Sequence, residues 1–278
     1  MEINILIKKR EEAIDVLLKE GFERSTLERI CISNEDIFTV NEVLQGENRV
    51  FNKVLEVGSY VGISSILLSL MTSAEKLICV DPNFSVDSDF ASGKSLGKRS
   101  RHYFEILKKS INDSSIERIE RYDSYYSCYP AQESIKFHIE KNPNLFEIPI
   151  FNNESLDCFD LCFIDGDHFS QSVYSDLTKA KTMLSKNGII ILHDMEGNWG
   201  KQVLTGINQF LSENEEFYLE IIDNIGIVKA LESRQLSVEE ATNEDVEALV
   251  EELVKYDRGI FKFFKGKNGR MYVIKDEK

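Results

Sequence analysis

Short apolar runs alternate along this chain with helix-patterned stretches, and one run after another stops at an acidic residue. Val54-Leu55-Glu56-Val57 ends at Gly58, Leu77-Ile78-Cys79-Val80 at Asp81, and Ile116 to Tyr122 at Asp123-Ser124. Phe159 to Ile164 ends at Asp165-Gly166-Asp167-His168, and Ile189 to Leu192 at His193-Asp194. The segments between them have helical spacing. Ile63, Ile66, Leu67, Leu70 and Met71 form one stripe, and Val173, Leu177, Ala180 and Leu184 another. Strands apolar on both faces and separated by helices specify a mostly parallel sheet covered on both sides. Phe217 to Ile222 and Gly226 to Ala230 flank Asp223-Asn224, which predicts an antiparallel hairpin at the end of that sheet. The expectation is an α/β fold with a doubly wound, mostly parallel, seven-stranded sheet.

The flanks read differently. Residues 1–50 are predicted helical, with Ile14, Leu17 and Leu18 before Gly21, and a second helix from Ser33-Asn34 through Ile37, Val40 and Leu44 to Gly46. Residues 83–100 read as a polar loop, Tyr103 to Ile111 as a helix, and Asn187-Gly188 as the close of the helix before Ile189. A further helix is predicted near Gly200 to Leu211. Residues 231–257 carry nine acidic and two basic residues, with Val246, Leu249, Val250, Leu253 and Val254 on a helical stripe. Residues 258–278 carry seven basic and two acidic residues, and Phe261 to Phe264 and Met271 to Ile274 flank Lys267-Asn268-Gly269 as a predicted hairpin. The expected organisation is an N-terminal helical segment (1–50), a main domain (51–230) and a C-terminal helix-plus-hairpin appendix (231–278).

Composition removes several function classes. Lys and Arg number 33 against 48 Asp and Glu, a net charge of −15, which argues against nucleic acid or an anionic membrane as partner. No apolar run approaches the roughly 18 residues of a membrane helix. Met1 to Arg10 places its charges after its apolar stretch, with no small-residue cleavage site, so no signal peptide is expected there. The five cysteines (Cys31, Cys79, Cys128, Cys158, Cys162) are odd in number and lack a CxxC pair, as for free thiols in a reducing cytoplasm. His102, His138, His168 and His193 lack the close spacing of a zinc site. An assembly of identical copies is compatible with all of this.

In an open parallel sheet, ligands bind beyond the C-terminal ends of the strands, near the point where strand order reverses. Each acidic stop lies at such an end. A dinucleotide turn needs GxGxxG, so that backbone meets pyrophosphate; here Tyr60 and Ile63 stand at the second and third glycine positions. Glu56-Val57-Gly58-Ser59-Tyr60-Val61-Gly62 instead resembles the first motif of class I S-adenosylmethionine-dependent methyltransferases, with their Rossmann-like fold. The resemblance implies a glycine turn (Glu56, Gly58, Ser59, Tyr60, Gly62) against the amino-acid part of S-adenosylmethionine. It makes Asp81, 23 residues after Gly58, the acceptor of the ribose hydroxyls, and Asp123 and Ser124 the adenine contacts. Asp165, Asp167 and His168 complete the implied cofactor set.

Phe163-Ile164-Asp165-Gly166-Asp167-His168 together with Asn187-Gly188-Ile189-Ile190-Ile191-Leu192-His193-Asp194 is similar to macrocin-type sugar O-methyltransferases and, more distantly, to catechol and caffeoyl-coenzyme A O-methyltransferases. The similarity covers about residues 50–230. It implies methyl transfer to a small-molecule hydroxyl, on a sugar or a phenol or catechol, assisted by a divalent metal, magnesium or manganese, held by Asp165 and Asp194 with His193 as a nitrogen ligand. The relatives' acidic partner is replaced here by His193 or Met195, which shifts preference toward softer ions. His168 stands where the catechol-type relatives carry a lysine base, and His193 competes with it for that role. Tyr122, Tyr125, Tyr126 and Tyr129 form either an aromatic wall or ordinary loop packing. Gly93 to Arg101 fits either a basic lid or a solvated loop; its Gly-Lys-Ser lacks the strand and first glycine of a phosphate loop. Two other readings stand beside O-methylation: a cofactor-binding scaffold without catalysis, and a nicotinamide-dependent dehydrogenase.

Overall fold

The computed structural model describes residues 1–87, 95–130, 148–152, 159–230, 239–240, 261–265 and 271–275. Three helices come first: α1 (Ile3–Lys19), α2 (Arg24–Ile30) and α3 (Asn34–Gly46). Then follow β1 (Lys53–Val57), α4 (Ile63–Thr72), β2 (Lys76–Asp81), β3 (Ser85–Asp87), β4 (Ser95–Arg99), α5 (Ser100–Ser110) and, after a 3₁₀ turn at Ile116–Arg118, β5 (Ile119–Asp123). The chain continues with β6 (Phe159–Ile164), α6 (Ser170–Met183), β7 (Leu184–Leu192), α7 (Gly197–Glu213), β8 (Phe217–Ile222) and β9 (Ile225–Ala230). Three short strands complete it: β10 (Glu239–Glu240), β11 (Phe261–Lys265) and β12 (Met271–Lys275).

Strand order across the main sheet is β10-β12-β11-β8-β9-β7-β6-β1-β2-β5. The five strands β5, β2, β1, β6 and β7 run parallel. β9 pairs antiparallel with β7, and β8 pairs antiparallel with β9, which completes the expected seven. The hairpin of β11 and β12 continues the sheet, with Phe261 opposite Ile221 on β8. Strand order reverses between β1 and β6, so a crevice opens at their C-terminal ends.

Alternation along each strand divides the apolar residues between two cores. Val54, Leu77, Cys79, Leu161, Phe163 and Ile191 pack on the side that α1, α3, α4 and α5 cover. Their neighbours Leu55, Ile78, Val80, Cys162, Ile164 and Ile190 pack against α6 and α7 on the other side. The layered arrangement follows from that period of two. α3 begins in a capping box: the Ser33 hydroxyl accepts from the Asp36 N–H, and Asp36 accepts from the Ser33 N–H.

Three elements differ from expectation. The predicted strand from Ile116 opens instead with the 3₁₀ turn Ile116–Arg118, and β5 starts only at Ile119. The stretch 83–100 contains the antiparallel pair β3 and β4 rather than a plain loop, with Ser85 opposite Arg99. Polar strands of this length lack the apolar alternation by which strands are read. α6 ends at Met183, not at Asn187-Gly188, and β7 starts at Leu184. Gly188 lies inside that strand, where a side chain would collide with Leu184 and the Phe159 carbonyl. The helical stripe at Val246 to Val254, the turn at Lys267-Asn268-Gly269 and Cys158 lie outside the described residues. Cys31, Cys79, Cys128 and Cys162 are free thiols. Among the described residues, no helix is long and apolar enough to cross a membrane.

Candidate active site

The acidic strand ends converge at the C-terminal edge of the parallel strands. The Gly58 N–H donates to the Val80 carbonyl at 2.9 Å and the Asp165 N–H to Val57 at 2.8 Å; that of His193 reaches Ile164 at 3.1 Å. These bonds stitch the loops after β1, β2, β6 and β7 into one edge. Gly58 has φ +89°, and a Cβ there would stand 2.0 Å from the Asp165 carbonyl oxygen. The glycine therefore permits the loop after β1 to touch the loop after β6. Tyr60, with φ +42°, also takes the left-handed turn.

Glu56 is fully buried below this turn and accepts a hydrogen bond from the Ser65 hydroxyl of α4, so its carboxylate braces the turn from within; burial pushes its pKa up. Among the described residues, the Ser59 hydroxyl is buried with no hydrogen-bond partner, as is that of Tyr125. Asp81 accepts from the Tyr60 N–H at 2.9 Å. Asp123 accepts from Arg101 at 3.0 Å. The Ser124 hydroxyl donates to backbone carbonyls of Tyr125 and Pro149. Asp167 accepts from Ser172 of α6 at 2.7 Å. Of the tyrosine cluster, Tyr125 and Tyr126 are buried while Tyr122 and Tyr129 are exposed.

Beside this turn lies a carboxylate–imidazole cluster. One atom each of Asp165, His168 and Asp194 lies within 4.8 Å of the others. His168 Nε2 is 2.7 Å from Asp194 Oδ2 and 3.4 Å from Asp165 Oδ1. His193 stands behind them with both ring nitrogens engaged: Nδ1 is 3.3 Å from Asp165 Oδ1, and Nε2 is 3.1 Å from Asp36 Oδ2. Asn224, in the β8–β9 turn, approaches the same Nε2 at 3.4 Å. Burial favours neutral imidazoles, yet the surrounding carboxylates outweigh it and push His168 up to about 10 and His193 up to about 11. Burial also works against the carboxylate of Asp36, and His193 and Ser33 overcome it, lowering Asp36 to about 2. Asp165 is held well below the carboxylate range by the same two imidazoles, again against burial. Asp194 sits at φ +59°, a strained backbone for a residue other than glycine.

Trp199, at the start of α7, stacks on the His168 ring at 5.7 Å and is 41% exposed. Asp36, Asn224 and Trp199 were not legible as site residues. The pattern Ser33-x-x-Asp36 signals a helix cap and nothing about a second partner, and Trp199 shows no motif.

Residues 55–195, just over half of the chain, match a family described as a methyltransferase domain. The chain belongs to that family, and its fold and glycine turn place it among the class I S-adenosylmethionine-dependent methyltransferases. That membership displaces the nicotinamide-dependent reading. An uncharacterized protein of Acanthamoeba polyphaga mimivirus is 24% identical over 160 residues, 57% of this chain and 59% of that protein, so the match spans less than two thirds of the relative's length. Among solved structures, the cofactor-bound Rv0187 from MTB is 13% identical, with 81% of this chain and 89% of that one covered and a TM-score of 0.49. An O-methyltransferase from Bacillus cereus in complex with SAH is 16% identical, with 79% and 90% covered and a TM-score of 0.48. The O-methyltransferase TomG from Streptomyces achromogenes, in complex with SAM, is 12% identical, with 77% and 89% covered and a TM-score of 0.46.

S-adenosylmethionine fits the residues at this edge. It carries no phosphate, and the described residues of the glycine turn (58–62) include no basic side chain. Its ammonium, carboxylate and adenosine offer partners to buried polar atoms that have none among the described residues, the hydroxyls of Ser59 and Tyr125.

Proposed function

We propose that this protein transfers the methyl group of S-adenosylmethionine to a hydroxyl of a small molecule, on a sugar or a phenol or catechol, assisted by a divalent metal. The observation that carries the reading is the cluster of Asp165, His168 and Asp194 beside an exposed Trp199. Gly58 brings the cofactor turn into contact with the loop that bears Asp165. A hydroxyl over the cluster would therefore lie next to the methyl donor.

The roles follow from placement. The turn of Gly58 to Gly62 and Asp81 bind the cofactor, with Asp81 toward the ribose. Trp199 offers a face on which a sugar or aromatic ring stacks, excluding water from one side. Asp165, His168 and Asp194 would hold a divalent ion through two carboxylate oxygens and one imidazole nitrogen, a set suited to manganese as well as magnesium. When bound, such an ion supplies Lewis acidity that lowers the pKa of a hydroxyl beside it. His193 holds Asp165 in place through Nδ1, and Asp36 holds His193. In the transfer, the acceptor O–CH3 bond forms as the S–CH3 bond breaks, the hydroxyl proton is released, and S-adenosylhomocysteine leaves.

The test is a screen of sugars, glycosides, phenols and catechols with labelled S-adenosylmethionine, with and without excess EDTA. Turnover that EDTA removes and manganese or magnesium restores is expected. Asp194→Ala should abolish turnover while S-adenosylhomocysteine affinity stays within about threefold, since the cofactor is bound from the other strand ends. Turnover undiminished in EDTA would sink the metal and leave removal of the acceptor proton to the other groups of the cluster, since His168, raised to about 10, is already protonated at neutral pH. No turnover on any acceptor would favour the scaffold reading.

A further inference from the structure

The chain turns after β7 where a strand would run on. Along an extended backbone, Asp194 would follow Ile190 and Leu192 into the core under α6 and α7. Its φ of +59° breaks that alternation. Met195 enters the core instead, 5% exposed, while the Asp194 side chain stays at the rim, 31% exposed. The left-handed turn is therefore what leaves Asp194 Oδ2 2.7 Å from His168 Nε2. A residue other than glycine keeps such a backbone only where its surroundings impose it.

The β8–β9 hairpin supplies those surroundings. The Met195 N–H donates to the Asn224 carbonyl at 3.2 Å, and the Glu196 N–H donates to Asn224 Oδ1 at 2.9 Å. One residue thus fixes two consecutive peptide groups directly after Asp194. Two positions further on, Gly226 makes room for the Met195 side chain: a Cβ there would stand 2.7 Å from Sδ, 3.2 Å from Cε and 3.3 Å from Cγ. On the other side of Asp194, the His193 N–H is tied to the Ile164 carbonyl. The turn itself is braced on α3 by the Thr39 hydroxyl, which donates to Asp223 Oδ2 at 3.2 Å.

We propose that the β8–β9 hairpin positions Asp194: Asn224, through its carbonyl and amide oxygens, and Gly226, by admitting Met195, hold the left-handed turn that presents the Asp194 carboxylate to a divalent ion. Both are positioning residues outside the group of Asp165, His168 and Asp194. This rests on the reading above that those three residues hold the ion. It also gives Met195, which stands where the family resemblance implies an acidic partner, a use as the core anchor of the turn.

Manganese(II) titration followed by electron paramagnetic resonance, on the full chain with S-adenosylhomocysteine present, tests it. Asn224→Ala removes the bond to Glu196 and should weaken manganese binding about fivefold or more, because the competent backbone of Asp194 is then only fractionally populated. S-adenosylhomocysteine affinity should stay unchanged. Amide exchange over residues 193–197, read by mass spectrometry without metal, should quicken in the same variant. It should return to the wild-type rate in Asn224→Asp, which keeps an oxygen for the Glu196 N–H. Gly226→Val displaces Met195 and gives an independent arm if Asn224→Ala does not fold; manganese affinity should fall while cofactor affinity holds. Thr39→Val cuts the turn's bond to α3 but spares both contacts with the loop, so its manganese affinity should match the wild type. Unchanged manganese affinity in Asn224→Ala or Gly226→Val, exchange that Asn224→Asp does not restore, or an equal fall in Thr39→Val would overturn the proposal. A wild type that binds no manganese would overturn the metal reading itself.

Discussion

Charges at the sheet's C-terminal edge are buried in opposite ways, and each way has a measurable result. Asp165 and Asp36 are buried against imidazoles and stay ionised. Asp176 of α6 is buried with a serine: the Ser127 hydroxyl donates to it, and burial is the main cause that pushes it up to about 7. The nearby Asp167 charge adds to the rise, while Ser127 and Lys179 oppose it. As pH rises past the ordinary value of 3.8, the unfolded chain loses this proton while the folded protein keeps it to about 7. Stability from this group is therefore complete below about pH 4 and lost as pH climbs through 7. Asp176→Asn keeps an acceptor for Ser127 without the charge. It should stabilise the protein by about 1–3 kcal/mol at pH 8, shrinking to nothing near pH 4. Urea denaturation at the two pH values measures this, and equal gains at both would refute it.

At the scale of elements, the start of α3 has two jobs. Asp36 completes the capping box with Ser33 and holds His193 across the site at 3.1 Å. Ser33→Ala should cost about 0.5–2 kcal/mol of stability, the usual effect of a lost N-cap. Asp36→Ala should lose that and also free His193. Its kcat for methyl transfer should fall at least tenfold, with S-adenosylhomocysteine affinity within about threefold of wild type. If Asp36→Ala and Ser33→Ala reduce kcat equally, Asp36 acts on the site only through the helix. Ser33-Asn34 was legible as a helix start because capping is a local contact. The second partner of Asp36 was not, because it comes from the loop after β7.

At the scale of the molecule, the first 50 residues are a wall of one of the two cores. Leu6, Ile14, Leu17, Leu27, Ile37 and Val40 are buried with the sheet residues Val54, Leu77 and Phe163. Each such side chain stabilises the fold by roughly 1.5–3 kcal/mol when buried. A fragment starting at residue 51 should therefore be exposed along that face and fail to fold as a soluble monomer. Circular dichroism and size-exclusion chromatography of the fragment check this; a cooperatively unfolding monomer would contradict it. The −15 charge acts on solubility at this scale and leaves the layering unaffected.

The continuous apolar runs of β1, β2, β6 and β7 were enough to establish a sheet covered on both faces. The strand-end positions of Gly58, Asp81, Asp165 and Asp194 were equally legible. Both depend on the period of the backbone and on where a strand stops, which neighbouring residues decide. Tertiary structure alone decided which groups meet. It joined His193 to Asp36, 157 positions earlier, and so engaged the imidazole that sequence had offered as a ligand. His168 instead entered the group with Asp165 and Asp194. It set Arg121 against Asp81, 40 positions away. The pairing of buried charges depends on which distant segments closure of the fold brings within about 3 Å, and no local pattern records that distance.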